Sequence, residues 1–414
     1  MRIPTKFGVT AALALSVSAT AAFAENIKIA FIDPLSGPFA TTGTNGLAEF
    51  QFAAEELVNK KGGVLDGDMF EVIGLDNKMD GKESLINLQV AIDQGAHYVV
   101  QGNSSGIAHA LTEAVNKHNR RNPDSQVLFL NYSAVDPALT NEKCNFWHFR
   151  FDANADIKMD ALTDAIVQND EISKVYLIGQ DYSFGKAVAE AAQRDLGAKK
   201  DSIEIVGNEL HPIGKVKDFT PYARKIVSSG ADAVITGNWG SDMVGLGKAI
   251  IEAGFTGPIY TYYAASNGIT RTFGEAGVGK INLVGEGALN PAGSPEVDEY
   301  VDAFEAKYPD HDISQPRIAN VVRMLAMAID EAGTATNVVE VAKALEGMET
   351  DNFWGGKIKM RAEDHQAIQD VYVMEQASGL KHLLDNSDYG LETAVKVEMA
   401  SADIPTTCEM ERPE

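Results

Sequence analysis

The sequence predicts an α/β protein of two domains, each a parallel sheet with helices packed on both faces, and three observations carry that prediction. Short β-branched or aromatic runs alternate with longer helical stretches along most of the chain. Alternation at that spacing builds parallel sheets. The 414 residues are 45% hydrophobic, which is more than one core organises, because single cores stop growing at about 250–300 residues. From about Ser294 the rhythm changes to helices in series and then two strands. A chain that returns to its first domain and then to its second would end in this way.

In chain order, strand-like runs fall at 27–32, 71–75, 98–101, 127–130, 175–178, 203–206, 233–236 and 259–262. Helical patterns fall between them at 47–60, 85–94, 108–119, 155–168, 186–196 and 244–253. Three helices follow at 295–308, 317–332 and 338–345, then strands at 357–360 and 370–375 joined by an acidic turn. Phe149-Arg150-Phe151-Asp152, Gly285-Glu286-Gly287 and Asn352-Phe353-Trp354-Gly355 punctuate the pattern where passages between domains would sit. Open parallel sheets bind ligands beyond the carboxyl ends of their strands. The loops after each strand are therefore the expected site.

Ahead of the first strand, Arg2 and Lys6 form a short positive region and residues 9–22 an apolar one, with Ala22 and Ala24 flanking Phe23. This is the pattern of an export signal cleaved after Ala24. The alternative, a membrane anchor, is disfavoured because the apolar run is shorter than the roughly 20 residues of a spanning helix. No cysteine lies beside the cleavage site to take a lipid, so the mature chain is expected to be free of the membrane.

Lys plus Arg total 35 against 59 Asp plus Glu, a net charge of -24. That balance repels phosphate backbones and anionic lipid heads, which argues against nucleic-acid and membrane-surface roles. Cys144 and Cys408 are the only cysteines. In an oxidising compartment two thiols pair, and a disulfide clipping the C-terminus onto the first third of the fold is predicted, with independent thiols as the alternative. Neither has the close Cys or His spacing of a zinc site.

Gly102-Asn103-Ser104-Ser105-Gly106 fits a G-x-S-x-G nucleophile elbow and lies between a strand and a helix, where that motif works. A secreted serine hydrolase using Ser104 is thus one reading, but His109, the nearby base, falls on the first turn of the following helix, an unusual place. Serine hydroxyls and backbone N–H groups at a helix N-terminus also seat a carboxylate. That reading requires no chemistry. Residues 274–280 match a phosphate-binding loop until Ile281, where a Ser or Thr must hold magnesium. Residues 76–81 begin like a calcium loop, but Lys78 occupies a ligand position and the bidentate Glu is missing. The eight histidines are scattered, without metal-binding spacing. Paired carboxylates such as Glu55-Glu56 and Asp298-Glu299 read as solvated helix faces. No cofactor and no metal is implied.

The strand leading into Pro34-Leu35-Ser36-Gly37-Pro38 and Gly43 is similar to the start of the periplasmic solute-binding proteins of branched-chain amino acid type ABC importers. Later landmarks are Gly102-Asn103-Ser104-Ser105, the run from Ala134 to Thr140, Gln180-Asp181-Tyr182-Ser183-Phe184-Gly185 and Gly237-Asn238-Trp239-Gly240. None is specific alone; their order behind an export signal is, and the resemblance covers the whole mature chain. It implies a type I periplasmic binding protein: two doubly wound lobes joined by a three-crossing hinge, closing on a ligand between them. Lobes of 26–149 with 287–352 and 150–286 with 353–399 are expected, followed by a tail of 400–414. The implied partners are a small-molecule ligand and a membrane ABC permease, for a monomer that is not an enzyme. A sensor subunit docking on a receptor remains open beside transport.

Carried over by position, Ser104 and Ser105 match the hydroxyls that hold the ligand carboxylate, helped by backbone near Ser133 and Ala134. Two positions depart from the amino acid pattern: Val135 stands where a Thr is usual beside the ligand ammonium, and Tyr263 where a Glu would pair with it. Without that acid, a buried ammonium would cost several kcal/mol. Phe39, Tyr182, Phe184, Trp239, Tyr262 and Tyr263 fall on or near cleft loops, enough rings to sandwich a planar ligand at ~0.5–1.5 kcal/mol each beyond burial; about half are expected to be core. Arg317 matches a position lining the side-chain pocket, where it would pair with a second anionic or carbonyl group. The expected ligand is a carboxylate without an α-ammonium, an aromatic acid before an aliphatic one, with branched-chain or other amino acids as the alternative.

Overall fold

A computed structural model describes residues 26–291 and 293–413; the export signal and its cleavage site lie outside them. The first lobe is built on β1 (Asn26–Asp33), β2 (Met69–Asp76), β3 (Tyr98–Gln101), β4 (Leu128–Asn131) and β5 (His148–Arg150). Between these strands run α1 (Ala40–Leu57), α2 (Gly81–Asp93) and α3 (Ser105–Arg121). The strands are parallel, in the order β2-β1-β3-β4-β5. β3 and β4 are buried along their whole length, as a sheet covered on both faces requires.

The second lobe repeats the scheme with β6 (Lys174–Gln180), β7 (Glu204–His211), β8 (Ala233–Thr236), β9 (Ile259–Thr261) and β10 (Ile281–Gly285). Its helices are α4 (Ala155–Gln168), α5 (Ser183–Lys199), α6 (Thr220–Ser228), α7 (Gly240–Glu252) and α8 (Ile269–Gly277). The chain then returns to the first lobe through α9 (Pro295–Lys307), α10 (Arg317–Ala332) and α11 (Val338–Leu345). Ile318, Val322 and Leu325 of α10 pack into the same core as Phe31, Val99 and Leu130 of the first sheet. Phe52 of α1 meets Tyr300 and Phe304 of α9 edge to face, at 4.9 and 5.2 Å.

A small antiparallel sheet follows, of β11 (Glu349–Asp351), β12 (Lys357–Met360) and β13 (Ala367–Gln369). Here the structure differs from the expected boundary near 352. The Asn352–Gly355 segment is the turn of a hairpin between β11 and β12, and Ile358, Met360 and Ala367 belong to the first lobe's core. The last passage therefore comes at Gln369, after which β14 (Val371–Ser378) joins the second sheet antiparallel to β10, and β15 (Tyr389–Val397) pairs antiparallel with β14 at the edge. Its full order is β15-β14-β10-β9-β8-β6-β7.

After α12 (Met399–Ala402) the tail turns back to the first lobe. Cys408 is bonded to Cys144, 264 positions earlier, with Cα atoms 5.7 Å apart. Thr406 and Thr407 bond to Asn141, and Arg412 reaches Glu346.

Candidate functional site

Strand order reverses between β1 and β3 in the first sheet and between β6 and β8 in the second, and ligands of open α/β sheets bind at such points. The loops beyond all four strands face one another across a single cleft. Ser104, Ser105, Ser133, Ala134 and Val135 line it from the first lobe, and Tyr182, Phe184, Trp239, Tyr262 and Tyr263 from the second, with Arg317 at the start of α10. Phe39, also expected there, is not among the lining residues. Its ring is 4.5 Å from that of Trp239 and packs in the second lobe's core although its chain belongs to the first.

Buried carboxylates shape the first wall. Asp33, at the end of β1, accepts hydrogen bonds from the Gly102 and Asn103 N–H groups at 3.0 and 2.9 Å and from the Tyr132 hydroxyl at 2.7 Å. This pins the loop after β3 so that Ser104 caps α3 with φ 86° and ψ 118°, a conformation costly for any residue but glycine. No side chain caps that helix, which leaves its first N–H groups for a ligand anion. Ser105 Oγ instead accepts the Asp136 N–H at 3.3 Å. Glu49 plays a matching part before α10, accepting from the Ser314 and Gln315 N–H groups at 3.1 and 3.0 Å.

Burial pushes the Asp33 carboxyl up to about 7 against its three hydrogen bonds, and that of Glu49 to about 8. Each then binds a proton in the folded state that the unfolded chain has released, so the stability they contribute is present below about pH 4 and is lost as pH rises toward 8. Urea unfolding should accordingly show higher stability at pH 5 than at pH 8. Asp33→Asn should flatten that slope; an unchanged slope would mean that Asp33 is ionised throughout.

Where the passages between lobes meet the cleft, four charges are buried together. Lys158 on α4 places its ammonium 2.6 Å from Asp152 Oδ1 and 3.1 Å from Glu286 Oε1. Arg317 lies 3.1 Å from Asp152 Oδ2 and 3.2 Å from Glu286 Oε2. The guanidinium also donates to the Tyr132 carbonyl, to Gln315 Oε1 and, at 2.9 Å, to Ser133 Oγ. Tyr263 closes the group: its hydroxyl donates to Asp152 Oδ2 at 2.9 Å and lies 3.2 Å from the Ser133 carbonyl, bridging the two lobes. Burial opposes ionisation of Glu286, but Lys158 and Arg317 override it and hold that carboxyl at about 2.

Two cations and two carboxylates cancel. Arg317, expected to offer its charge to a ligand, is 3% exposed and spends that charge on Asp152 and Glu286. Asp136 is likewise engaged by His109 Nε2 at 2.8 Å. Burial raises its pKa, yet the bonds from His109 and the Ala138 N–H hold it down at about 2. Among the described residues no hydrogen bond joins His109 to Ser104 or Ser105, so the base a serine nucleophile requires is not assembled. Rings crowd the second wall, with Phe184 5.4 Å from Tyr262 and 5.9 Å from Tyr263. The Trp239 indole N–H donates to the Tyr182 hydroxyl at 2.9 Å.

Sequence reasoning missed Asp152, Lys158 and Glu286. Asp152 and Glu286 stand inside two of the segments read as passages, so their places were marked but not their charges. Lys158 carries no local cue, since a lysine in a first turn ordinarily faces water.

Two lobes whose switch points face one another across a cleft lined by hydroxyls, free helix N–H groups and rings define a solute-binding protein. The chain belongs to the periplasmic binding protein family, whose model matches residues 26–381. That family places it among exported, periplasmic proteins. It is 30% identical over 423 residues to the Leu/Ile/Val-binding protein homolog 4 of Brucella melitensis, covering 100% of this chain and 99% of that one. Among solved structures, the leucine-, isoleucine-, valine-, threonine- and alanine-binding protein from Brucella ovis, in a closed conformation, matches at TM-score 0.82 and 29% identity, over 94% of this chain and 100% of that chain. A solute-binding protein of an ABC transporter from R. palustris, in complex with 4-hydroxybenzoate, shares the fold at TM-score 0.77 and 19% identity, over 90% of this chain and 97% of that chain.

Proposed function

We propose that the protein captures a small carboxylate without an α-ammonium, an aromatic acid before an aliphatic one, and delivers it to the membrane permease of an ABC importer without catalysis. In this reading Ser104 and the first N–H groups of α3 take the carboxylate while Phe184, Tyr262 and Tyr263 flank the rest. The lobes close about the three passages when it binds. One observation carries the choice of ligand: Tyr263 stands where an amino acid binder would need an acid, and the carboxylates beside it, Asp152 and Glu286, are already neutralised by Lys158 and Arg317. An ammonium entering that neutral cluster would lose its water without gaining a partner.

The second reading, a branched-chain or other amino acid, is favoured by the names of the Brucella relatives at 29–30% identity. Calorimetry on ligand-stripped protein separates the two. Benzoate-type acids should bind saturably and leucine and valine should not; saturable leucine binding with none for the aromatic acids would overturn the first reading.

A further inference from the structure

The loop between β14 and β15 leaves the second lobe and lies against α9 of the first, with Leu384 at the cleft and His382 behind it. His382 on that loop is 1% exposed, and its backbone is fixed by Asn290, whose amide donates to the His382 carbonyl at 2.9 Å and accepts the His382 N–H at 3.0 Å. Asp298 on α9 lies 2.7 Å from the ring Nε2. In that bond Nε2 is the donor, and Nδ1 is the ring's remaining polar atom. Nδ1 is buried without a hydrogen-bond partner. It faces Glu305 Oε1 at 3.6 Å and Asp302 Oδ1 at 3.8 Å, so three atoms able to ligate a metal converge on one point.

We propose that Asp302, Glu305 and His382 hold a divalent transition-metal ion, zinc before manganese, that ties the second lobe's loop to α9. The three ligand atoms lie within 4.8 Å of one another, and a tetrahedral zinc with bonds of about 2.0–2.1 Å would draw them to roughly 3.3 Å apart. One imidazole and two carboxylates make an open site whose fourth position is water. Asp302 and Glu305, three apart on a helix, present their carboxylates on one face. Asp298 acts from behind, as the carboxylate that orients a metal-binding histidine. The charge also fits. Asp298, Asp302 and Glu305 set against Lys381, which pairs with Asp298 at 3.1 Å and Asp302 at 3.2 Å, leave two negative charges around the imidazole. Spacing along the chain hides this site, because His382 lies far from the two acids in sequence and Asp298 reads as a solvated face.

The test is titration of chelator-treated protein with zinc chloride at pH 7.5, by calorimetry and thermal unfolding. One equivalent should bind and raise the unfolding temperature. Asp302→Asn and Glu305→Gln, both on the surface of α9 and so expected to fold, should each weaken binding about tenfold or more, and Asp298→Asn about 10–100-fold. Binding should also weaken at lower pH, because protons compete with the metal for its ligands. Uptake unchanged in the Asp302→Asn, Glu305→Gln double variant would overturn the proposal, as would no saturable uptake.

Discussion

Lys158→Met is expected to destabilise the protein by about 3–5 kcal/mol, the cost of breaking a buried ion pair from one side. Lys158 has no exposed side-chain surface, and neither have the two carboxylates that it touches. Removing its charge leaves Asp152 and Glu286 facing one another with Arg317 alone to neutralise both. The remaining excess negative charge cannot be hydrated, so one carboxyl must take up a proton. Urea unfolding would measure the loss, and it should shrink as the pH is lowered from 8 to 5 and that protonation becomes easier. Adding Asp152→Asn to Lys158→Met restores charge balance and should recover part of the stability. A loss below about 1 kcal/mol in the single variant would place the cluster in reach of water, where exposed pairs contribute that little.

Ser104→Gly should move stability and binding in opposite directions. With φ 86° and ψ 118°, Ser104 occupies backbone space that glycine enters freely, and relief of that strain should raise stability by about 1 kcal/mol. The same change deletes the hydroxyl assigned to the ligand carboxylate. A hydrogen bond to a charged group contributes about 1.5–3 kcal/mol, so affinity for the acid should fall roughly ten- to a hundredfold. Urea unfolding and calorimetry on the one variant give both numbers. A fall in stability together with unchanged affinity would show that the serine serves the loop and not the ligand.

Much of the fold was legible because the central parallel strands, such as β3, β4 and β8, are short buried runs between helices. α4, α10 and α11 begin and end where the pattern places them. β5 and β10 were missed: each runs directly into a segment, 149–152 or 285–287, that was read as a passage between lobes. β15 was missed because it is a half-exposed edge strand without a continuous apolar run. The passage at 352 was misplaced because a glycine-rich turn looks the same in a hairpin as at a domain boundary. Ser104, Trp239 and Tyr263 were legible as cleft lining, because the clefts of open parallel sheets form from the loops beyond the strands' carboxyl ends. The charge cluster was not, since its members come from four separate segments and meet only when the two lobes do.

Phe39 is a first-lobe side chain lodged in the second lobe's core against Trp239, and the other tryptophans, Trp147 and Trp354, sit in first-lobe clusters away from that contact. Any motion that parts the lobes must pull Phe39 off the indole and let water reach it, while the other two keep their surroundings. Should the lobes open, Trp239 would serve as a built-in optical gauge, its emission expected to follow the closed fraction without a label and in the time it takes to mix two solutions.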